Sequence, residues 1–235
     1  MKRIMLLNNQ TTKAIVIHML MAALSLFING FGVYLTIQAN FGASPWDVLN
    51  LGLANTFGIL YGTASIVVSY TILGIDLLLR EPIGIAMFID AFVVGKAVDL
   101  FNHLNVVPKC TNIPQGIFTM IIGLVIISYT QFIYMAAALG CGPRDTLLVA
   151  LTKRAKRIPI GAVSIALLST ATFIGWLLGG PVGLGTLICA FGTGPIMQMA
   201  FHSVKFDAAR VQHQKITDSM RIMLGREIQR ETKIS

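Results

Sequence analysis

Charged residues are scarce in this sequence. They make up 12% of the 235 residues, whereas a soluble globular domain has about 25%. So few charges cannot cover a soluble surface, which excludes an ordinary cytosolic enzyme and a disordered chain. Hydrophobic residues make up 55% of the chain, and its mean hydropathy is +0.75. These values are typical of a protein that crosses a membrane several times.

Cysteines and catalytic motifs are also few. The three cysteines, Cys110, Cys141 and Cys189, are odd in number and far apart. They predict no disulfide framework and match no metal or redox spacing. No HExxH, GxSxG or CxxC motif occurs in the chain, so we expect no enzyme activity, no metal site and no cofactor.

Six stretches of the chain are long and apolar enough to cross a bilayer. Eighteen helical residues rise about 27 Å, which just spans a hydrocarbon core. The predicted spans one to six cover residues 14–39, 62–79, 83–100, 116–139, 161–178 and 182–202.

The basic residues fall almost entirely on one side of these spans. Of the 18 Lys and Arg, 16 lie before span one, between spans two and three, in residues 144–157, or after residue 204. Lysine and arginine concentrate in cytoplasmic loops, so both termini are predicted to be cytoplasmic. The net charge of +8 is then a topological signal and gives no reason to expect nucleic acid as a partner.

The chain contains an internal repeat. Residues 42–54 match residues 140–152 at 5 of 13 positions, and residues 62–101 match residues 161–200 at 13 of 40. Repeat one therefore covers residues 14–101 and repeat two residues 116–203, with three spans each. Because three is odd, the second copy enters the membrane from the opposite side. The sequence predicts an all-α membrane domain, residues 1–203, with six transmembrane helices as inverted 3+3 repeats, an architecture typical of secondary transporters.

Each repeat holds a short helical segment after its first span, and both segments begin with the pattern Gly-x-x-Pro-x-Asp. The residues concerned are Gly42, Ser44, Pro45, Trp46 and Asp47 in repeat one, and Gly140, Gly142, Pro143, Arg144 and Asp145 in repeat two. A good N-cap, an early proline and an acid in the first turn predict a helix start. The first segment, about 13 residues or roughly 20 Å, is too short to span. A re-entrant half-helix, a surface helix and the second piece of a broken helix all fit it.

The two helix starts have a structural and a functional interpretation. Proline and aspartate make a favourable first turn, and this alone explains them. Alternatively, the free N–H groups of the first turn face a cavity, with Asp47 and Asp145 as symmetry-related acids at its two mouths. The acids argue against a simple anion site and favour a cation, a proton relay or a gating contact.

Four acidic or basic residues lie inside predicted spans. An ionisable side chain is costly to bury in a membrane, so it is taken as functional unless a local partner explains it. Asp76 lies four residues before Arg80, and local pairing explains it. Lys96 and Asp99 lie three residues apart near the outer end of span three, where pairing and function are equally good interpretations. Asp90 lies near the middle of the span without a local partner. We expect it to line a functional cavity, and hydrogen bonding or protonation within the bundle is the alternative.

Residues 204–235 predict a cytoplasmic, basic amphipathic helix. This tail has seven basic and four acidic residues, with an apolar stripe of Ile216, Met220, Met223, Leu224 and Ile228. Such a helix could lie on anionic lipid, pair with a second copy, or fold back on the cytoplasmic face. Lipid contact is the default expectation.

Several motifs occur together in a fixed order: the two Gly-x-x-Pro-x-Asp elements, then GWLLGG at residues 175–180 and GLGT at residues 183–186. With these motifs, over about residues 15–203, the chain resembles the YczE/YyaS/YitT family of bacterial integral membrane proteins. The resemblance implies a multi-pass protein of the bacterial cytoplasmic (inner) membrane. Transport of an unspecified substrate is the activity usually implied for the family.

We therefore expect a small secondary transporter or permease of unknown substrate, with a cavity at the repeat interface. The candidate pathway residues are Asp90, Asp47, Asp145, Lys96 and Asp99. The alternative is a non-transporting scaffold or regulatory protein that acts through the basic tail. The expected partners are the lipid bilayer, a small-molecule or ionic substrate, anionic lipid at the tail, and a second copy in a homodimer.

Overall fold

The computed structural model describes residues 12–206, 211, 214 and 216–223, and the regular secondary structure in this part of the chain is entirely helical. In chain order the helices are α1 (Thr12–Gln38), α2 (Pro45–Phe57), α3 (Tyr61–Leu78), α4 (Ile85–His103), α5 (Ile113–Ala136), α6 (Pro143–Arg154), α7 (Ile160–Leu177), α8 (Leu184–Ser203) and α9 (Ile216–Met223). The all-helical prediction is confirmed.

Five of these helices, α1, α3, α5, α7 and α8, are long and apolar enough to cross a membrane. The remaining predicted span corresponds to α4, which has 19 residues but carries Asp90, Lys96 and Asp99. Those three ionisable groups make it less apolar than the other five. The ends of all six long helices lie within three residues of the predicted span ends.

The two short helices begin where the sequence predicts. α2 has 13 residues and starts at Pro45 after Ser44 as N-cap, and α6 has 12 residues and starts at Pro143 after Gly142. Proline suits this position because its fixed φ fits a helix and its missing N–H would have no partner there. The first residue of each helix is buried, so neither helix starts on the protein surface.

A glycine in the left-handed region leads the chain into each short helix. Gly42 has a φ of 122° and Gly140 a φ of 129°, a conformation that a side chain would strain. The carbonyl just before each glycine accepts a backbone hydrogen bond from the first turn of a long helix in the other half of the chain. The donors are Gly185 to Phe41 at 2.9 Å and Ala86 to Leu139 at 3.2 Å.

Several helix pairs pack in a reciprocal pattern, with the exception that α3 packs against α4 whereas an apolar groove lies between the equivalent α7 and α8. α1 and α5 form the centre and contact each other along much of their length, with α4 against α1 and α8 against α5. α2 packs against α7, and α6 packs against α3. A Cβ on Gly32 would lie 2.9 Å from the Gly123 carbonyl oxygen. Small residues here let α1 and α5 approach closely, as is common between membrane helices.

The described part of the tail folds back on the rest of the protein. The Ile216 N–H donates to the Ile83 carbonyl at 2.7 Å, and Ile222 joins a buried cluster with Ile15 and Leu26 of α1. Docking on α1 turns Ile222 inward, so Met220 points away and is 52% exposed. Met220 of the predicted apolar stripe therefore takes no part in this contact. The Met223 side chain and residues 224–235 lie outside the described part.

Candidate functional site

A cavity of about 260 Å³ lies between α2 and α6 and is enclosed by five of the long helices. Three predicted acids line it, Asp47, Asp90 and Asp145. Four predicted residues from the starts of the short helices join them: Ser44, Trp46, Gly142 and Arg144. The other polar side chains in the wall are Asn29, Thr36, Tyr61, Ser65, Ser69, Gln131 and Thr193. The structure thus brings together residues that are almost 100 positions apart in the sequence.

Asp47 is enclosed, with 4% of its surface exposed. The Ser44 hydroxyl donates to Oδ2 at 2.9 Å, and the Tyr61 hydroxyl donates to Oδ1 at 2.6 Å. Asn50 in turn donates to the Tyr61 oxygen at 3.3 Å. Ser44 is the N-cap residue, but its hydroxyl bonds Asp47 instead of the helix backbone. Both carboxylate oxygens of Asp47 are therefore held by donors from α2 and α3.

Asp145, at the equivalent position in α6, is exposed. Gln131 on α5 donates to Oδ2 at the long distance of 3.4 Å. The sequence explains the difference, because Gly142 replaces the Ser44 hydroxyl and Ile160 replaces the Tyr61 phenol. Asp145 is thus open, that is, exposed to the cavity that it lines, whereas Asp47 is closed, with both carboxylate oxygens enclosed.

A second cavity, of about 440 Å³, adjoins Asp145. Gln131, Asp145 and Met197 belong to the walls of both cavities, so these three side chains separate them. The far wall of the second cavity includes Glu81 and Lys153, which form an ion pair at 2.6 Å. This cavity therefore leads toward the side on which the sequence places most basic residues.

Asp90 on α4 faces the central cavity, as predicted. It has no hydrogen bond or ion pair with any other described residue. A Cβ on Gly142 would lie 2.9 Å from its Oδ2, so the start of α6 passes close to this carboxylate. Glycine at position 142 leaves the space that Asp90 needs.

Arg144 lies in the first turn of α6, the short helix that the sequence predicts here. Its Cζ atom lies 5.2 Å from the centre of the Trp46 ring, so the guanidinium of α6 stacks on the aromatic residue of α2. Among the described residues, no carboxylate lies within ion-pair distance of it. The reason is that α6 begins inside the protein, and only its C-terminal residues reach the basic surface. Arg144 therefore does not count among the basic residues that mark one side of the spans.

Lys96 and Asp99 lie outside the central cavity, and they do not pair with each other. Lys96 is exposed, whereas Asp99 Oδ1 accepts the Gly62 N–H at 2.7 Å. Asp99 thus caps the first turn of α3, where an acid is favourable to the helix dipole. Of the two interpretations of these residues, pairing is absent, because the neighbouring helix offers Asp99 a backbone N–H.

Asp76 also lacks its predicted partner. It is fully buried, and neither carboxylate oxygen has a hydrogen-bond partner in the described part of the protein. Arg80 is exposed, because the chain turns there with a φ of 58° and directs the side chain away. The expected pairing of Asp76 with Arg80 is wrong.

The other predicted residues of the helix starts have packing positions. Gly42 lies against the backbone of Gly183, and Gly140 against Gly84. Pro45 borders an apolar groove between α7 and α8. Pro143 is buried at the first position of α6.

Sequence reasoning missed Tyr61, Gln131 and the serines of α3. An uncharged polar residue in an apolar span is the available signal, but it does not say which face of the helix it occupies. Among the described residues there is no group of three or more His, Cys, Asp and Glu side chains that could hold a metal ion. Asp90 and Asp145 do approach each other at Gly142, where a Cβ would lie 2.9 Å from Asp90 Oδ2 and 3.6 Å from Asp145 Oδ2.

The helices and the cavity define the class of the molecule: a multi-span helical membrane protein with a polar, acid-lined interior. The chain belongs to a family of unknown function (DUF6198), whose profile matches residues 16–202. The resemblance predicted from the motifs is confirmed.

Individual relatives are similar over most of their length. The chain is 33% identical over 177 residues to the uncharacterized membrane protein YczE of Bacillus subtilis, covering 74% of this chain and 81% of YczE. It is 28% identical over 197 residues to an uncharacterized protein of Haemophilus influenzae, with coverages of 84% and 86%. It is 28% identical over 170 residues to YyaS of Bacillus subtilis, with coverages of 70% and 83%. No solved structure matches the chain.

Proposed function

We propose that the protein is a small secondary transporter or permease whose substrate cavity lies at the interface of two inverted three-span repeats. One observation carries the proposal. Asp47 and Asp145 occupy equivalent positions in the two Gly-x-x-Pro-x-Asp elements and line one cavity, yet Asp47 is closed and Asp145 is open. A transporter works by opening equivalent halves of one site in turn.

The helix boundaries support the inverted repeats. α3 and α7 begin and end 99 positions apart, at 61 and 160 and at 78 and 177. Residues with positive φ recur at the same spacing, as Arg80 and Gly179 do. The reciprocal packing of α2 on α7 and of α6 on α3 is what a pseudo-two-fold axis produces. In this proposal α4 is the sixth span. Its Asp90 faces the central cavity, and its Asp99 caps α3.

Alternating access requires two conformations with different exposure of the cavity. In the present conformation Asp145 borders the second cavity, on the side of Glu81 and Lys153. The opposite conformation would release Asp47 from Tyr61 and close Asp145. The short helices move between these states, because their first turns line the cavity.

We also propose the cytoplasmic (inner) membrane as the location, with both termini in the cytoplasm. Reporter fusions at Asn105 and at Thr152 test this orientation. The positive-inside pattern and the inverted repeats predict opposite sides for the two reporters. The same side for both would reject the inverted arrangement.

A ligand screen by thermal shift on the purified protein tests the function, followed by uptake into proteoliposomes of any compound that stabilises it. Asp47→Asn, Asp90→Asn and Asp145→Asn should each abolish uptake while the protein still folds and inserts. Asp218→Asn is the matched control, because Asp218 lies on α9, outside the central cavity. A stabilising ligand that none of the three cavity changes affects would reject this site.

A non-transporting scaffold or regulatory protein is the second candidate, and the docking of α9 on α1 favours a structural role for the tail. That function predicts the opposite result: deletion of residues 207–235 is damaging and the cavity aspartates are dispensable.

We further propose anionic lipid at the tail and a homodimer as partners. Flotation with anionic or neutral vesicles and the mass of the protein in detergent test these two.

A further inference from the structure

We infer that the central cavity binds a small organic cation against the face of Trp46, and that Arg144 occupies this place as a tethered cation. This inference rests on the proposed function, since it names the substrate class of the same cavity. Four features of the wall carry it: its excess of acidic groups, the lack of a metal-binding group among the described residues, the position of Arg144, and two serine hydroxyls without a partner among those residues.

Acidic groups outnumber basic groups in the wall. Asp47, Asp90 and Asp145 contribute three carboxyl groups, and Arg144 contributes one guanidinium. A nearby cation favours the ionised form of a carboxyl group in a low-dielectric interior. These carboxyl groups therefore favour a ligand that brings positive charge.

The geometry favours an organic cation over a metal ion. Calcium and magnesium need several oxygen ligands that converge at about 2.0–2.6 Å, and the described residues contain no group of three or more acidic, His or Cys side chains that could hold a metal ion. A cavity of about 260 Å³ has room for a compact ammonium or guanidinium compound. Trp46 adds an aromatic face, which attracts organic cations through its quadrupole.

Arg144 shows that a cation fits on this face. Its Cζ lies 5.2 Å from the centre of the Trp46 ring, within the range of a cation–π contact. Among the described residues it has no ion pair with the carboxylates of the same wall. A substrate cation can therefore displace it from the ring without breaking an ion pair.

Two hydroxyl groups in the wall have no partner among the described residues. Ser65 and Ser69 lie one turn apart on α3, line the cavity, and are 4% and 6% exposed. Neither forms a hydrogen bond with another described residue, whereas Thr71 on the same helix donates to the Val67 carbonyl at 2.8 Å. Both hydroxyls are therefore available to a ligand in the cavity. Asp90 on the adjacent helix α4 also has no hydrogen bond or ion pair with another described residue.

Titration calorimetry on the full chain in detergent tests the cation site. The probes are choline, tetramethylammonium and methylguanidinium, with 3,3-dimethylbutan-1-ol as the neutral isostere of choline. At least one of the three cations should bind, and the neutral isostere should not. Binding of the alcohol as tightly as choline, or no binding by any of the three cations, would overturn the inference.

Substitutions at Trp46 test the aromatic face. Trp46→Phe keeps a ring, and Trp46→Leu keeps only apolar volume. We expect the Kd of the bound cation to rise about tenfold more in Trp46→Leu than in Trp46→Phe. Equal affinity in the two variants would show that the aromatic ring does not contribute to binding.

Arg144→Ala tests the tethered cation. It vacates the ring, so methylguanidinium should bind about tenfold more tightly to this variant than to the wild type. Arg144→Lys keeps a tethered cation and should gain less affinity than Arg144→Ala. Unchanged affinity in Arg144→Ala would refute the role of Arg144. If Arg144→Ala does not fold, Arg144→Gln provides the same comparison with a neutral side chain of similar length.

Binding and transport can fail separately. A cation that binds but is not taken up by proteoliposomes supports the site and rejects the transport function. Uptake of a neutral or anionic compound that Asp90→Asn abolishes supports transport and rejects the cation site.

Discussion

The phenol of Tyr61 donates a 2.6 Å hydrogen bond to Oδ1 of Asp47, and this contact closes the acid at the start of α2. Position 160, which is equivalent to Tyr61, is isoleucine and offers no hydroxyl to Asp145. The Tyr61 phenol is therefore one difference between the two otherwise similar helix starts. The same hydrogen bond stabilises the fold and limits access to Asp47 from the cavity.

Tyr61→Phe should destabilise the protein, because Oδ1 of the buried Asp47 then loses its donor. A hydrogen bond to a charged group contributes about 1.5–3 kcal/mol, and we expect a loss of about that size in denaturation of the purified protein in detergent. Tyr129→Phe is the matched control, since Tyr129 pairs with the neutral hydroxyl of Ser203 at an exposed site. Equal losses in the two variants would contradict a special role for the Asp47 contact.

Access to the two acids should differ in the same direction. In a background with all three native cysteines replaced by serine, we expect Asp145→Cys to react with a polar thiol reagent much faster than Asp47→Cys. Adding Tyr61→Phe should accelerate modification at position 47 and leave position 145 unchanged. Reaction rates measured by mass spectrometry decide this, and equal rates at both positions would refute the closed and open assignment.

Cys141 should react slowly at neutral pH. It lies in the loop before α6, where burial raises the pKa of its thiol to about 11 and the Asp145 carboxylate adds to the shift. Because the thiolate is the reactive species, the alkylation rate should rise about tenfold per pH unit and continue to rise up to about pH 11. Asp145→Asn should move this profile to lower pH. A rate that levels off near the ordinary thiol pKa of about 8.5 would contradict the burial.

Lys96 and Asp99 should respond differently to substitution. Asp99→Asn weakens the cap on the Gly62 N–H, and we expect it to cost about 1 kcal/mol. Lys96→Ala should change stability by less than about 0.5 kcal/mol, because the side chain is exposed and unpaired among the described residues. Denaturation of both variants in the same detergent provides the measurement. Similar losses of stability would indicate that the two residues do pair with each other.

The tail helix should depend on Ile222 and not on Met220. Ile222→Ala removes a side chain that is 9% exposed in the cluster on α1, and a buried Ile→Ala change costs about 2–5 kcal/mol. We expect the lower end of that range, together with faster proteolysis of the tail. Met220→Ala, at an exposed position of the same helix, should be nearly neutral. If Met220→Ala is the more damaging change, the face that docks on α1 has been assigned incorrectly.

The sequence by itself determined the helical class, the ends of the long helices and the starts of the two short ones. These are local properties. Mean hydropathy over about 18 residues sets a span, and a proline after an N-cap, with an acid in the first turn, sets a helix start. The family resemblance also followed from short motifs in order, and the match over residues 16–202 confirmed it.

The tertiary structure alone decided which of these residues meet. Charge counting grouped Arg144 with the basic residues of one side of the spans, but packing of α6 against α3 brings it over Trp46. Spacing along one helix left pairing with Lys96 open for Asp99, but the neighbouring helix supplies the Gly62 N–H instead. A polar side chain in an apolar interior takes its partner from whichever helix lies beside it, and that neighbour is set by the contacts of the whole bundle.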